Sequence, residues 1–270
     1  MLYFKDQGSV GLSNYTDLLG STAFYKALRV SFIFTSASLI IALTLATVFA
    51  LMARAMAGRG TLFISALLLP WALSPYAVAL IWQWILSPSN GGLLNTLAAQ
   101  IGMGPYAPLT GDNSSLLILI LVGVWRNFAF ATLVIGAGLT QIPKDLYKAA
   151  AVDQANRWEQ FRHITWPLVR PSIVIAATIL TISYFNEVQL IIGLTGGGPV
   201  EATTTLSWLL YKRGVVELDQ GQANAIALMM LVVSLGLVFL INYFVGLRDR
   251  RMRVRHRKHA LEVDAALVQV

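Results

Sequence analysis

Along the chain, long apolar runs alternate with shorter polar ones. A helix needs about 20 mostly apolar residues to cross a bilayer. Five stretches reach that length. The first, about 30–53, reads VSFIFTSASLIIALTLATVFALMA and carries no charge. The second, about 61–86, is interrupted by Pro70 and Pro75, which predict a kinked helix. The third, about 116–140, contains Arg126. The fourth, about 172–194, contains Glu187, and the fifth, about 222–247, has Asn242 near its end. The pattern predicts an all-α, polytopic transmembrane helical bundle with five visible spans. It divides the chain into a polar segment at 1–29, a membrane domain at 30–247 with a polar loop at 141–171, and a basic tail at 248–270.

Composition agrees. Hydrophobic residues make up 56% and charged residues 12%, against about 25% charged in soluble domains. With no cysteine there is no disulfide, thiolate metal site or cysteine nucleophile. The three histidines are His163, His256 and His259, and the last two lie in the basic tail, so no metal site is expected. The net charge of +7 is local, because residues 248–258 hold seven Lys/Arg and one Asp. That tail reads as a membrane flank contacting anionic lipid rather than as a nucleic-acid surface.

Charge also orients the spans. The 54–60 loop carries two basic residues, the 141–171 loop five and the tail seven, so fourteen of twenty fall on one side. By the positive-inside rule that side is cytoplasmic, and the C-terminus with it. The start, MLYFKDQGSVGLSNYTDLLGS, is then extracytoplasmic, yet it has no signal-peptide core. Either this segment is translocated unaided or a first helix precedes Met1.

The loop stretch YKAAAVDQANRWEQFRHITWPLVRP, Tyr147 to Pro171, is the most informative polar run. Residues 143–155 predict a helix, with Pro143 at its start and Asp145 in its first turn. Ala149, Ala150, Ala151 and Ala155 form helix well and leave room for another backbone. Trp158, Phe161 and Ile164 follow at three-residue spacing, an apolar stripe on a second short helix, which Pro167 and Pro171 are expected to end. Such a helix–turn–helix suits docking into a groove of a partner protein. The plainer reading is a connector between spans.

This stretch resembles the cytoplasmic coupling loop of binding-protein-dependent ABC importer permeases, EAA…G…I.LP. The match runs through Ala149, Ala150, Asp153, Ala155, Phe161, Ile164, Pro167 and Pro171. It departs at Lys148, where the family usually has Glu, and at Gln154, where it usually has Gly. LSNYTDLL (12–19), LLLPWALSPYAVALIWQWIL (67–86), GGLLNTL (91–97), IPKDLYKAA (142–150) and LTGGGP (194–199) are similar, in the same order, to maltose/glycerol-phosphate-type sugar permeases. The resemblance implies a MetI-like permease in the cytoplasmic membrane and no enzyme. It implies a second homologous permease, a cytoplasmic ATPase dimer that binds ATP and Mg, and an extracytoplasmic solute-binding protein. No cofactor is expected in this chain, which lacks a Walker motif. Lys148, Ala149, Ala150, Asp153, Gln154, Ala155, Phe161, Ile164 and Pro167 are the coupling candidates. The family's core usually has six spans, with NYTDLL after the first, which implies a span upstream of Met1. A five-span chain is the alternative. The implied cargo is a di- or oligosaccharide, with a glycerophosphodiester or sugar phosphate as rival.

Several polar residues in the spans are substrate-path candidates. Ser183, Asn186 and Glu187 stand at i, i+3 and i+4, one face of a continuous helix, beside Tyr184. A charge at membrane depth normally faces protein or water. Arg126 and Asn127 on the third span match them. The cluster reads as a sugar site, as an interface with a partner permease, or as a structural Arg126–Glu187 pair. An ion-coupled secondary transporter using those two charges is the rival from another class. Trp82 and Trp84 are either interfacial anchors or a stacking platform. LTGGGP lacks the Gly-Lys-Ser/Thr ending of a phosphate loop. The 195–221 segment, with a short helix at TTTLSWLLYKRGV, reads as a docking surface for a binding protein or partner permease, or as an ordinary ordered loop.

Overall fold

The first long apolar run carries small residues every third or fourth position, and that spacing decides how it packs. In the computed structural model, which describes residues 12–56, 58–88 and 91–267 and side chains as far as Tyr243, a short helix α1 (Ser13–Gly20) precedes it. The run then lies in α2 (Thr22–Ala55), a helix of 34 residues. Ser31, Ser38, Ala42, Ala46, Ala50 and Ala53 line its buried face. Small side chains let helix backbones approach closely inside a membrane. The chain continues through α3 (Gly60–Leu67), α4 (Leu69–Ala72), α5 (Pro75–Ile85), the loop helix α6 (Leu93–Gln100) and α7 (Asp112–Thr140). The polar loop forms α8 (Lys144–Val152) and α9 (Arg157–Gln160). After them come α10 (Trp166–Phe185), α11 (Gln189–Leu194), α12 (Leu206–Tyr211) and α13 (Gln220–Leu267). The predicted all-α bundle is borne out, and no strand occurs among the described residues.

The central helix is α7. Of its most apolar stretch 61% is buried, against 28% for α2 and 22% for the apolar part of α13. Phe34 and Ala46 of α2, Val78 of α5, Leu119 and Ile135 of α7, Leu180 of α10 and Leu190 of α11 share one core. A second core joins Leu18, Phe24, Ala27, Phe185, Leu206 and Ile226. It explains why α2 begins at Thr22 rather than near residue 30: Phe24 and Ala27 are buried there, while Lys26 and Arg29 face outward. Lys26 lies 3.8 Å from Glu201.

Among the described residues four helices are long and apolar enough to cross a membrane, where the sequence predicts five spans. The second run is divided into α3, α4 and α5 instead of being merely kinked. Leu73 is extended, with ψ 147°. Pro75 then opens α5, where its missing N–H has no helical partner to lose.

The fourth run also differs. Pro167 and Pro171 do not end the short helix of the loop. Instead α9, a π turn at Phe161–Thr165 and α10 form one 29-residue helix, Arg157–Phe185, with Pro171 inside it. The Trp166 N–H donates to Phe161 O. That wider turn lets the backbone pass Pro167, which has no N–H of its own to donate. At its other end the helix stops at Phe185, not 194. Residues 186–188 break it before α11 begins. The predicted basic tail continues α13 in backbone, and its side chains lie outside the described residues.

Candidate functional site

The turn between α8 and α9 is built from local backbone chemistry. Ala155 N–H donates to Ala150 O at 2.9 Å and Gln154 N–H to Ala151 O at 3.1 Å, closing the end of α8. Gln154 takes φ 57°, the left-handed conformation that glycine adopts freely. The backbone thus keeps the shape for which the resembling loops use glycine. Asn156 then caps α9. Its side chain accepts from Glu159 N–H at 3.0 Å, and the Glu159 carboxylate accepts from Asn156 N–H at 2.8 Å. The Asn-x-x-Glu signature of this capping box, Asn156 to Glu159, stands in the sequence.

On this scaffold Lys148 pairs with Asp145 at 2.8 Å, both well exposed. Ala149 is exposed. Ala150, Asp153, Ala155 and His163 line a notch of about 320 Å³ between the two short helices. His163 Nδ1 lies 3.0 Å from Glu159 O at the surface. Phe161 stacks on Trp158 at 5.7 Å and leans on Trp166 at 6.1 Å. The expected apolar stripe divides, because Trp158 is 66% exposed while Ile164 turns onto the core. Pro167 lies in the first turn of α10. Tyr147 ties the element to the spans. Its hydroxyl accepts from Arg54 Nη1 at 3.2 Å and shares a 2.8 Å hydrogen bond with Thr165 Oγ1. The Arg54 guanidinium also sits 4.7 Å over the Tyr147 ring. Arg54 and Tyr147 are 93 residues apart, so no local pattern announces the contact.

A second group forms around one carbonyl in α7. Gly123 O accepts from Asn127 Nδ2 at 3.0 Å and from the buried Tyr184 hydroxyl at 3.3 Å. Arg126 Nη1 donates to Asn127 Oδ1 at 3.2 Å, while Arg126 Nε is buried without a partner. No ion pair within 4.0 Å joins Arg126 to Glu187 among the described residues. The helix ends at Phe185, and Glu187 leaves the predicted shared face: it is half-buried, while Ser183 and Asn186 are exposed. Ser183 donates to Ile179 O at 2.9 Å and Asn186 to Ile182 O at 2.9 Å, both exposed. Asn186 instead borders a groove of about 360 Å³ against Leu210 and Met230. The Glu187 carboxylate accepts from Leu190 N–H at 3.1 Å, at the start of α11. Its backbone carbonyl accepts from Ser207 Oγ at 2.6 Å. A carboxylate at a helix start is favoured by the helix dipole.

The two tryptophans part company. Trp82 is half-buried and meets Trp125 edge-on at 5.6 Å. Trp84 is 57% exposed and borders a cleft of about 710 Å³ with Gln83, Ser87, Leu194, Thr195 and Pro199. The glycine-rich loop forms the far wall of this cleft. A Cβ on Gly197 would stand 2.1 Å from Trp208 Nε1, so only glycine fits against that indole. The predicted short helix occurs as α12, held to α2 by Leu206 N–H donating to Ser31 Oγ at 2.8 Å. One further organiser is Asn95 in GGLLNTL. It is 6% exposed and bonds Ser87 O, Tyr106 O and Tyr106 N–H at 3.0, 2.8 and 2.7 Å. A lone Asn in an apolar run was its only signal.

Comparison with known proteins places the fold. The family described as "Binding-protein-dependent transport system inner membrane component" matches residues 42–254. The trehalose/maltose transport system permease protein MalF of Thermococcus litoralis is 34% identical over 88% of this chain and 81% of its own. The sn-glycerol-3-phosphate transport system permease protein UgpA of Agrobacterium fabrum is 30% identical over 84% and 78%. Among solved structures, a chain of a bacterial ABC transporter involved in the import of the acidic polysaccharide alginate is similar, with TM-score 0.78 and 27% identity over 89% of this chain and 85% of that one.

Proposed function

The chain belongs to the binding-protein-dependent transport system inner membrane component family, and on that premise we propose that it is one permease subunit of an ATP-driven carbohydrate importer. The cargo we infer is a di- or oligosaccharide. The trehalose/maltose relative and the alginate transporter support it. The glycerol-3-phosphate relative favours a second reading, a glycerophosphodiester or sugar phosphate, and the single Arg126 of the path suits a singly charged cargo.

The observation that carries the proposal is the α8–α9 turn. It presents alanines outward, closes both helix ends with its own hydrogen bonds, and is anchored to two spans through Tyr147. In this reading the basic end faces the cytoplasm. A pair of ATPase subunits binds ATP and Mg there, beside a second permease, and a solute-binding protein docks near the cleft at Trp84 and Pro199. Closure of the ATPases pushes α8 and α9. The unbroken Arg157–Phe185 helix carries that motion to the break at Glu187, and Tyr147–Arg54 carries it to α2. Arg126 and Glu187 stand at the moving part of the path, with Asn127 and Tyr184 buried behind them, and Ser183, Asn186, Trp82 and Trp84 as its outer candidates. Alternating access then requires ATP to bind the two states unequally.

The test is co-purification of the tagged chain in mild detergent from membranes expressing all candidate partners. The expected result is recovery of a second permease and a Walker-motif ATPase, with the ATPase lost in Ala149→Glu and Ala150→Arg. Recovery of the chain alone would overturn the proposal.

A further inference from the structure

We propose that the groove among α2, α3 and α7 at the basic end is a binding site for one anionic phospholipid. The groove holds about 410 Å³, within the range of ligand sites, roughly 300–1,000 Å³. Its two halves differ in chemistry. Ile64, Leu133 and Ala137 make an apolar wall, while Arg54, Gly60 and Thr61 stand at the end nearest the basic loops. The apolar wall suits an acyl chain, and the polar end suits a phosphate.

Two independent features of that end point to an anion. One is the Arg54 guanidinium, which among the described residues donates to the neutral Tyr147 hydroxyl and meets no carboxylate within 4.0 Å. The other is the start of α3. First-turn N–H groups of a helix have no intrahelical acceptor and favour negative charge. No side chain caps α3 among the described residues. Gly60 keeps this helix start pressed on α2, because a Cβ there would stand 2.2 Å from Ala53 O. A second copy of this chain or a helix of another permease would cover the apolar wall but leave the guanidinium and the helix start without a counter-charge. A lipid satisfies both halves. Basic sites between spans at a cytoplasmic boundary are suited to anionic headgroups.

The proposal rests on the reading above only for the orientation of the basic end. Its readout is lipid retention, which does not depend on transport, so the two can fail separately. The experiment is native mass spectrometry of the full chain released from detergent with phosphatidylglycerol, phosphatidylcholine or inorganic phosphate. One phosphatidylglycerol is expected to be retained in preference to phosphatidylcholine, and inorganic phosphate not at all. Retention should fall about tenfold in Arg54→Gln, the loss of one charge-assisted contact. It should also fall in Ala137→Leu, which fills the groove from an exposed position and leaves Arg54 untouched. Tyr147→Phe should retain the lipid at least as well as the parent, since it removes the hydroxyl that competes for the Arg54 N–H groups and keeps the ring beneath them. Equal retention of both lipids, unchanged retention in Ala137→Leu, or loss in Tyr147→Phe equal to that in Arg54→Gln would each overturn the site. So would retention of phosphate in place of lipid.

Discussion

Glu159 and Glu187 both receive a backbone N–H at a helix start, and the two sites are otherwise opposites. Glu159 works at the surface, in a capping box with a residue three positions away. Glu187 works at a break in a membrane helix. It receives Leu190 N–H, while Ser207 from a distant segment holds its carbonyl. The first site is assembled by neighbours in sequence and would form in any context that let α9 fold. The second joins an equally local bond, three residues apart, to one from Ser207, twenty residues on, that forms only once α12 has packed beside the break. A cap at the surface therefore reports local preference, whereas a cap at depth reports the fold around it.

If that contrast is right, removing a buried polar contact costs more than removing an exposed one. Asn127→Leu strips Arg126 of its hydrogen-bond partner and Gly123 O of one donor. The expected destabilisation is about 1–2 kcal/mol, read as a lower thermal midpoint of the purified chain in detergent. Ser183→Ala removes only an exposed bond to its own helix and should leave the midpoint unchanged. Equal shifts in the two variants would erase the distinction. A smaller effect of opposite sign is expected at the surface. Gln154→Gly relieves a left-handed side chain, partly offset by greater freedom of the unfolded glycine, for a net gain of about 0.5 kcal/mol. Slower amide exchange at Ala155, whose N–H closes that turn, would register it. Faster exchange would mean that the glutamine side chain contributes something the backbone does not reveal.

The same contrast explains what could be read from sequence. The apolar runs fixed the helical class, and the alanines and the ordered motifs carried the family, because each depends on residues close together in the chain. The turn at Gln154 was identified by position, although the residue there is not glycine. The break after Phe185 was not legible. SYFNEVQL contains neither proline nor glycine, so a continuous period of 3.6 ran through it and placed Glu187 on a face it does not share. Pro167 and Pro171 misled in the other direction. A π turn absorbs the first and the helix carries the second, so they do not punctuate. Arg54 meeting Tyr147 and Ser207 meeting Glu187 depend on packing between distant segments, which one sequence does not display.

The smallest effect is the sharpest test of what Glu187 does. Opposite charges this deep in a bundle invite the reading of an ion pair, and breaking such a pair would be costly. The geometry says otherwise, since the carboxylate faces Leu190 N–H and the guanidinium faces Asn127. A double-mutant cycle with Arg126→Met and Glu187→Gln separates the two roles. Glutamine keeps an oxygen for Leu190 N–H and removes only the charge. If Glu187 is a cap, the charges are coupled weakly, by less than about 0.5 kcal/mol, the range of independent sites. Each single variant then costs the same with or without the other. Coupling of several times that size would mean that the two side chains pair in the folded bundle. The break after Phe185 would then be held by charge rather than by the N–H groups of α11.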